Sequence, residues 1–173
     1  TITLSSGYLN AGWYNTSGTK LGNAGATISV SASQTITAKA TQITCSAGYY
    51  LAANATSCTK CESGSYCSGG TYSFAVSIQG KNTCPSIYTK SAAGSDTMSD
   101  CYAEVAGGSY IKTANATSTT SCPAGSYCSG GNIYYGKTGN ISTCPSGYGT
   151  SSSSSDAASD CYKTITVTYA GNG

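Results

Sequence analysis

The cysteines of this chain follow a pattern that occurs twice. One set of four is followed, at offsets of 61 and 60, by a second set: Cys61, Cys67, Cys84 and Cys101, then Cys122, Cys128, Cys144 and Cys161. The surrounding text repeats as well, since residues 64–70 and 125–131 both read Gly-Ser-Tyr-Cys-Ser-Gly-Gly. Self-similarity at a fixed period indicates tandem structural modules. The sequence therefore predicts two cysteine-rich repeats, repeat 1 at residues 45–104 and repeat 2 at residues 105–163.

The composition leaves little material for a conventional hydrophobic core. Hydrophobic residues reach 39% of the 173 residues only because Tyr, Ala and Cys are counted. Small secreted domains with weak cores are held together by disulfides instead. Metal ligation is the competing interpretation of ten cysteines, but the only Cys-x-x-Cys, from Cys58 to Cys61, has no matching pair. We therefore expect five disulfides and a secreted, extracellular or cell-surface location.

Two cysteines of repeat 1 have no counterpart in repeat 2. At a constant offset of 61, Cys45 and Cys58 face Ala106 and Thr119. Losing one partner of a disulfide would leave a reactive thiol, so cysteines that are absent together are expected to be bonded to each other. The sequence therefore predicts a Cys45–Cys58 disulfide.

The other four cysteines of each repeat allow three connectivities. The segment from Cys84 to Cys101 has the same design as the segment from Cys45 to Cys58, so analogy favours local pairs. These pairs are Cys61 with Cys67, Cys84 with Cys101, Cys122 with Cys128, and Cys144 with Cys161. An interleaved arrangement, Cys61 with Cys84 and Cys67 with Cys101, is the open alternative. Each bond removes roughly 2–4 kcal/mol of unfolded-state entropy.

Repeat 1 resembles a known class of extracellular module. The residues that carry the resemblance are Cys45 with Gly48 and Tyr49, then Cys58-Thr59-Lys60-Cys61, then Cys84-Pro85. This spacing is similar to the cysteine-rich modules of tumour-necrosis-factor-receptor and ephrin-receptor-like proteins. The resemblance implies elongated tandem modules that serve as spacers or protein-binding stalks.

The first 44 residues have a different pattern. Residues 27–31 and 35–40 alternate apolar and polar side chains, which is typical of half-buried strands. The Gly, Asn and Ser clusters between them indicate turns. The predicted fold class is therefore all-β and small disulfide-rich, with a β-sheet module at 1–44 ahead of the two repeats and a terminal strand at 164–173.

This β-sheet module resembles the internalin-type B-repeat, a β-grasp-like domain of bacterial surface proteins. The resemblance rests on Gly7-Tyr8-Leu9-Asn10-Ala11-Gly12-Trp13-Tyr14, on Gly18-Thr19-Lys20, and on residues 34–40. The opening strand of that family, of the form Ile-Thr-Val-Thr-Tyr, is missing here before residue 7. A matching text occurs instead at residues 165–169. The sequence is therefore expected to be one phase-shifted period of a repeating protein.

The terminal segment, residues 164–173, is expected to complete a neighbouring β-module. Ile165, Val167 and Tyr169 alternate along it, and an unpaired strand is an open template for pairing. The acceptor is either the next repeat of the same polypeptide or another copy joined head-to-tail by strand donation. A head-to-tail contact that does not close on itself generates a filament.

Several function classes are disfavoured by the composition. The chain has no His, eight Lys, six acidic residues and a net charge of +2, so general acid–base catalysis and nucleic-acid binding lack their usual residues. We predict no enzyme activity, no cofactor, no metal site and no membrane span in this segment. The Asp pairs Asp96 with Asp100 and Asp156 with Asp160 suit calcium, but turn capping is the preferred interpretation.

The candidate glycosylation sites are the sequons at Asn15, Asn54, Asn115 and Asn140. The leading functional hypothesis is an extracellular structural repeat that forms a stalk or filament, with itself or the next repeat as partner. The alternative is a cell-surface adhesin or receptor-like module that binds a glycan or a host protein, for which exposed tyrosines would serve as stacking platforms. The fifteen tyrosines are otherwise expected to pack over the disulfides as a substitute core.

Overall fold

The structure, a computed structural model, describes residues 9–23, 28–29, 32–73 and 77–171. Within these ranges the chain has short β-strands, two 3-10 turns at Met98–Asp100 and Ala158–Asp160, and no α-helix. The predicted fold class, all-β and disulfide-rich, is confirmed. In the same ranges, no helix has the length and apolar character needed to cross a membrane.

The chain forms two compact units. Unit 1 contains Thr1–Thr83 and Ala92–Thr97, and unit 2 contains Cys84–Ser91 and Met98–Gly173. This division differs from the sequence modules 1–44, 45–104 and 105–163, because six residues of the loop after Cys84 belong to unit 1. Within unit 1, the Gly94 N–H donates to the Cys61 carbonyl at 2.8 Å, and the Cys67 N–H donates to the Ser95 carbonyl at 3.0 Å.

Unit 1 contains eight strands among the described residues. They are β1 Leu9–Tyr14, β2 Lys20–Asn23, β3 Thr37–Cys45, β4 Tyr49–Leu51, β5 Cys58–Lys60, β6 Ser65–Tyr66, β7 Gly70–Ser73 and β8 Asn82–Thr83. One sheet has the order β2-β1-β3-β7, and β4 with β5 and β6 with β8 form two small antiparallel pairs. The β1–β2 turn is fixed by Asn15, whose side-chain oxygen accepts the Thr19 N–H at 2.8 Å.

Strand β3 serves two partners in succession. Residues 37–41 pair with β1, and residues 42–45 pair with β7. The strand predicted at 35–40 therefore begins at Thr37 and extends five residues further, because β7 offers a partner that is distant in sequence. The strand predicted at 27–31 falls mainly outside the described residues, and Ile28 and Ser29 are not in a strand.

Unit 2 is built from strand pairs. Its strands are β9 Tyr102–Val105, β10 Ser109–Tyr110, β11 Thr120–Ser121, β12 Ser126–Tyr127, β13 Gly131–Tyr134 and β14 Ser142–Thr143. β9 pairs with β13, β10 with β11, and β12 with β14, each antiparallel. Strands this short bury little on their own, so the disulfides described below hold the pairs in place.

The buried interior of both units consists mainly of cystines and a few aromatic or aliphatic side chains. Tyr50 packs against Cys61 and Cys67 in unit 1, as expected of tyrosines that replace a core. The largest fully buried side chains are Tyr88, Leu51 and Ile111. Because so few large side chains are buried, hydrophobic burial contributes little to stability. The disulfides, which lower the entropy of the unfolded chain, are therefore the main source of stability.

Candidate functional site

Five disulfides connect all ten cysteines. They join Cys45 to Cys58, Cys61 to Cys67, Cys84 to Cys101, Cys122 to Cys128, and Cys144 to Cys161, and no free cysteine is present. The Cα–Cα distances lie between 5.6 and 5.9 Å, within the usual range for cystine. These are the local pairs that the sequence favoured, and the interleaved arrangement does not occur.

The two repeats share one backbone hydrogen-bond frame. Gly48 donates to the Cys67 carbonyl at 2.8 Å, and Gly108 donates to the Cys128 carbonyl at the same distance. The cysteines Cys61 and Cys122 donate back to the carbonyls of these glycines, also at 2.8 Å. Positions in one repeat can therefore be compared directly with positions in the other.

This comparison corrects the alignment at Cys45. In the sheet of unit 1, Cys45 lies opposite Gly70, and in unit 2 Val105 lies opposite Gly131. The structural counterpart of Cys45 is therefore Val105, and the expectation of Ala106 was wrong. A constant offset fails because Lys112 is an additional residue that follows this point. One half of the first cystine is thus replaced by a buried valine.

A strand that precedes each repeat pairs with a strand inside it. Residues 42–45 pair with β7, and β9 pairs with β13. Residues 162–165 occupy the same position a third time, sixty residues after β9. Tyr162 exchanges two backbone hydrogen bonds with Thr150, at 3.4 and 2.7 Å, as Tyr102 does with Lys90.

The terminal segment has no such partner among the described residues. Residues 163–171 form no strand, and Ile165, Val167 and Tyr169 are 71%, 82% and 90% exposed. A run of alternating apolar side chains at this exposure is unusual in a folded chain, because burying each of them is favourable by about 1.5–3 kcal/mol.

The equivalent tyrosines of the two repeats differ in burial. Tyr88 is 0% exposed, whereas its counterpart Tyr148 is 53% exposed. The Tyr88 ring lies edge-on to the Tyr135 ring with 5.3 Å between centroids. Burial raises the pKa of the Tyr88 hydroxyl above its usual range. Tyr148 has the same local turn but no ring of this kind against it among the described residues.

An ion pair of repeat 1 is absent from repeat 2. The Tyr50 hydroxyl donates to Glu62 Oε1 at 2.9 Å, and Lys81 donates to Glu62 Oε2 and lies 5.2 Å from the Tyr50 ring centroid. The Lys81 hydrogen bond is the main reason that the pKa of Glu62 is lowered and that of Lys81 raised. The counterparts of Glu62 and Lys81 are Pro123 and Ile141, so both charges are lost together, which fits a structural role.

The four sequons have different environments. Asn54 and Asn115 are exposed at equivalent turn positions, with φ of 57° and 61°. The side-chain oxygen of Asn15 caps its turn, and the amide of Asn140 donates to the Gly130 carbonyl. The structure thus leaves Asn54 and Asn115 as the accessible pair.

In repeat 2, one carboxylate of the acidic pair caps a turn. The Asp160 carboxylate accepts the N–H groups of Asp156 and Ala157 at 3.0 and 3.2 Å, as the turn-capping interpretation expects. Across the described ranges, no group of three potential metal-ligating side chains is found.

No protein-family model, curated protein or solved structure matches this chain.

Proposed function

We propose that this protein is an extracellular structural repeat that forms a stalk or filament through head-to-tail strand complementation. The observation that carries the proposal is the exposed terminal segment. Two strands at equivalent positions are paired within the structure, whereas the third equivalent position, residues 162–165, begins a run in which Ile165, Val167 and Tyr169 are exposed. A partner that pairs with this segment would bury all three side chains.

The cystine content supports a mechanical role. Five disulfides close loops of 6 to 17 residues, so stretching or proteolysis of either repeat meets covalent cross-links. Disulfides of this density persist in oxidising compartments, which supports an extracellular or cell-surface location.

Unit 1 offers an acceptor for a donated strand. β2 lies at one edge of the described sheet, and its Leu21 is 38% exposed. An added strand gains main-chain hydrogen bonds along such an edge, and its alternate side chains supply specificity. The terminal segment of another copy has the alternation that this mode of binding requires.

The proposal includes no catalytic step. The chain has no histidine, and the described carboxylates with defined contacts cap turns or pair with lysine. The composition therefore supports a scaffold rather than an enzyme.

The proposal is tested by size-exclusion chromatography and electron microscopy of the oxidised chain beside a version truncated after Tyr162. We expect concentration-dependent chains or fibres from the intact protein and monomers from the truncated one. Monomers in both samples would contradict head-to-tail assembly.

A second candidate function is suggested by exposed aromatic rings. Tyr134 is 47% exposed, and its ring lies 5.4 Å from that of Tyr102. Paired rings of this kind suit stacking on a sugar face, as in an adhesin. Saturable binding of a defined glycan, lost in Tyr134→Ser, would favour this function over the stalk.

A further inference from the structure

A second surface is formed by residues around Tyr162 and by Ile165 at the start of the terminal segment, and its equivalent inside unit 2 is already occupied. There, β9 pairs with β13, with Val105 opposite Gly131 and Tyr102 opposite Tyr134. Residues 162–165 correspond to β9 at an offset of 60. The internal pair therefore shows what kind of strand fits against them.

Two ring contacts accompany the internal strand pair. Tyr88 lies edge-on to Tyr135 at 5.3 Å, and Tyr102 lies at 5.4 Å from Tyr134 with tilted rings. The counterparts of Tyr88 and Tyr102 are Tyr148 and Tyr162, which are 53% and 50% exposed. Both receiving rings are thus present without a covering partner among the described residues.

The backbone is oriented for the same pairing. Tyr102 exchanges hydrogen bonds with Lys90. The carbonyl of the preceding residue, Cys101, accepts the Tyr135 N–H at 2.8 Å. Successive backbone groups of a strand point to opposite sides. Because Tyr162 bonds to Thr150 in the same way, a strand through Tyr162 would direct the Cys161 carbonyl away from Thr150, as the Cys101 carbonyl is directed away from Lys90.

We infer that Tyr148, Tyr162, Lys163 and Ile165 form a docking face for one β-strand of a further cysteine-rich repeat. The strand lies antiparallel, in the register that joins β9 to β13. It carries an aliphatic residue opposite Lys163 and aromatic residues at the next two positions, which cover Tyr162 and Tyr148. This inference rests on the proposed function and names the partner strand of the joint.

Repeat 1 provides an independent precedent. Residues 42–45 hold β7 in the equivalent register, with Cys45 opposite Gly70 and Ile43 opposite Tyr72. β3 also shows that one strand can pair with one partner first and another afterwards. Residues 162–165 and the residues that follow can therefore pair with two partners in succession, with Ile165 at the change from one partner to the other.

The test is a titration of the oxidised, isotope-labelled full chain with a synthetic peptide of residues 129–137, followed by NMR. We expect saturable shifts at Tyr148 and at residues 161–165. A control peptide in which Ile133, Tyr134 and Tyr135 are serine is expected not to bind. In the chain, Tyr148→Ser is expected to lower the peptide affinity roughly two- to tenfold, since a ring pair is lost. Tyr169→Ser, which lies beyond the register, is expected to leave it unchanged.

Two results would overturn the inference. One is no saturable shift up to the solubility limit of the peptide. The other is shifts centred on β9, which would mean that the peptide displaces β13. Failure here is distinguishable from failure of the stalk proposal. If the chain assembles through its terminal segment but does not bind the peptide, only the assignment of the partner strand is refuted. A chain that binds the peptide but stays monomeric refutes only self-assembly.

Discussion

Val105 in repeat 2 occupies the position that Cys45 occupies in repeat 1. Both residues are buried, at 5% and 3% exposure, and each lies opposite a glycine of the neighbouring strand. The partner of Cys45, Cys58, corresponds to Thr119. Repeat 2 therefore keeps the geometry of the first cystine without its bond.

The double substitution Val105→Cys with Thr119→Cys is expected to create a sixth disulfide. The gain in the free energy of unfolding is expected to be roughly 3 kcal/mol over Val105→Ser with Thr119→Ser, because the new bond closes a loop of similar length to the first cystine. Intact mass, thiol titration and chemical denaturation measure the bond and its effect.

The matched control is Ala106→Cys with Thr119→Cys, which the constant offset favoured. We expect two titratable thiols in this variant, because residue 106 corresponds to Ser46 and not to Cys45. A disulfide in the control and none in the first variant would reverse the structural alignment.

Tyr88 and Tyr148 are expected to differ in their effect on stability. Tyr88→Ala should lower the free energy of unfolding by about 3–5 kcal/mol, because it empties a buried site against Tyr135. Tyr148→Ala should change it by no more than about 0.5 kcal/mol in the monomer. Denaturant melts of dilute protein make the comparison, and equal losses would contradict the assigned burial.

The Glu62 cluster is expected to make stability depend on pH at both extremes. The pKa of Glu62 is lowered, so its contribution is present above the ordinary glutamate pKa of about 4.3 and is lost as pH falls through the lowered value. The pKa of Lys81 is raised, so its contribution is present below about 10.4 and is lost as pH rises through the raised value.

Glu62→Gln should flatten the acid limb of the pH–stability profile of the oxidised protein. Glu104→Gln is the control, because Glu104 is an exposed carboxylate that lies 3.7 Å from Lys90 without a bond to a buried tyrosine. An acid limb that is unchanged in Glu62→Gln would show that the cluster does not contribute to stability.

Enzymatic N-glycosylation is expected to distinguish the sequons at Asn54 and Asn115 from the one at Asn140. An oligosaccharyltransferase acting on the folded chain should modify Asn54 and Asn115, which are exposed in turns, and spare Asn140, whose amide donates to Gly130. Site-resolved mass spectrometry measures occupancy. Modification of Asn140 at the level of Asn54 would contradict the assigned contact.

The sequence predicted the cystine network because the two repeats differ in an informative way. The joint absence of counterparts for Cys45 and Cys58 indicated their bond, and analogy indicated the others. Period-two alternation in residues 35–40 indicated a strand. The alternation is a local pattern, and the cysteine pattern is repeated within the chain, so a single sequence is enough to recognise each of them.

Other features could not be predicted because they depend on distant contacts. Nothing in the sequence of Ala92–Thr97 indicates that the Gly94 N–H donates to the Cys61 carbonyl. Likewise, β3 continues to Cys45 only because β7, which is distant in sequence, pairs with it. The constant offset paired Cys45 with Ala106 instead of Val105 because repeat 2 contains one additional residue, Lys112. The docking face was likewise not found from the sequence, since it became visible only when the burial of Tyr88 and Tyr148 was compared.

The central claim is that residues 163–171 become a paired strand when copies meet. Hydrogen–deuterium exchange of this segment, measured by mass spectrometry at low and high protein concentration, tests it most directly. We predict fast exchange in dilute protein and strong protection at high concentration, which Val167→Pro abolishes. Equally fast exchange at every concentration would contradict the claim.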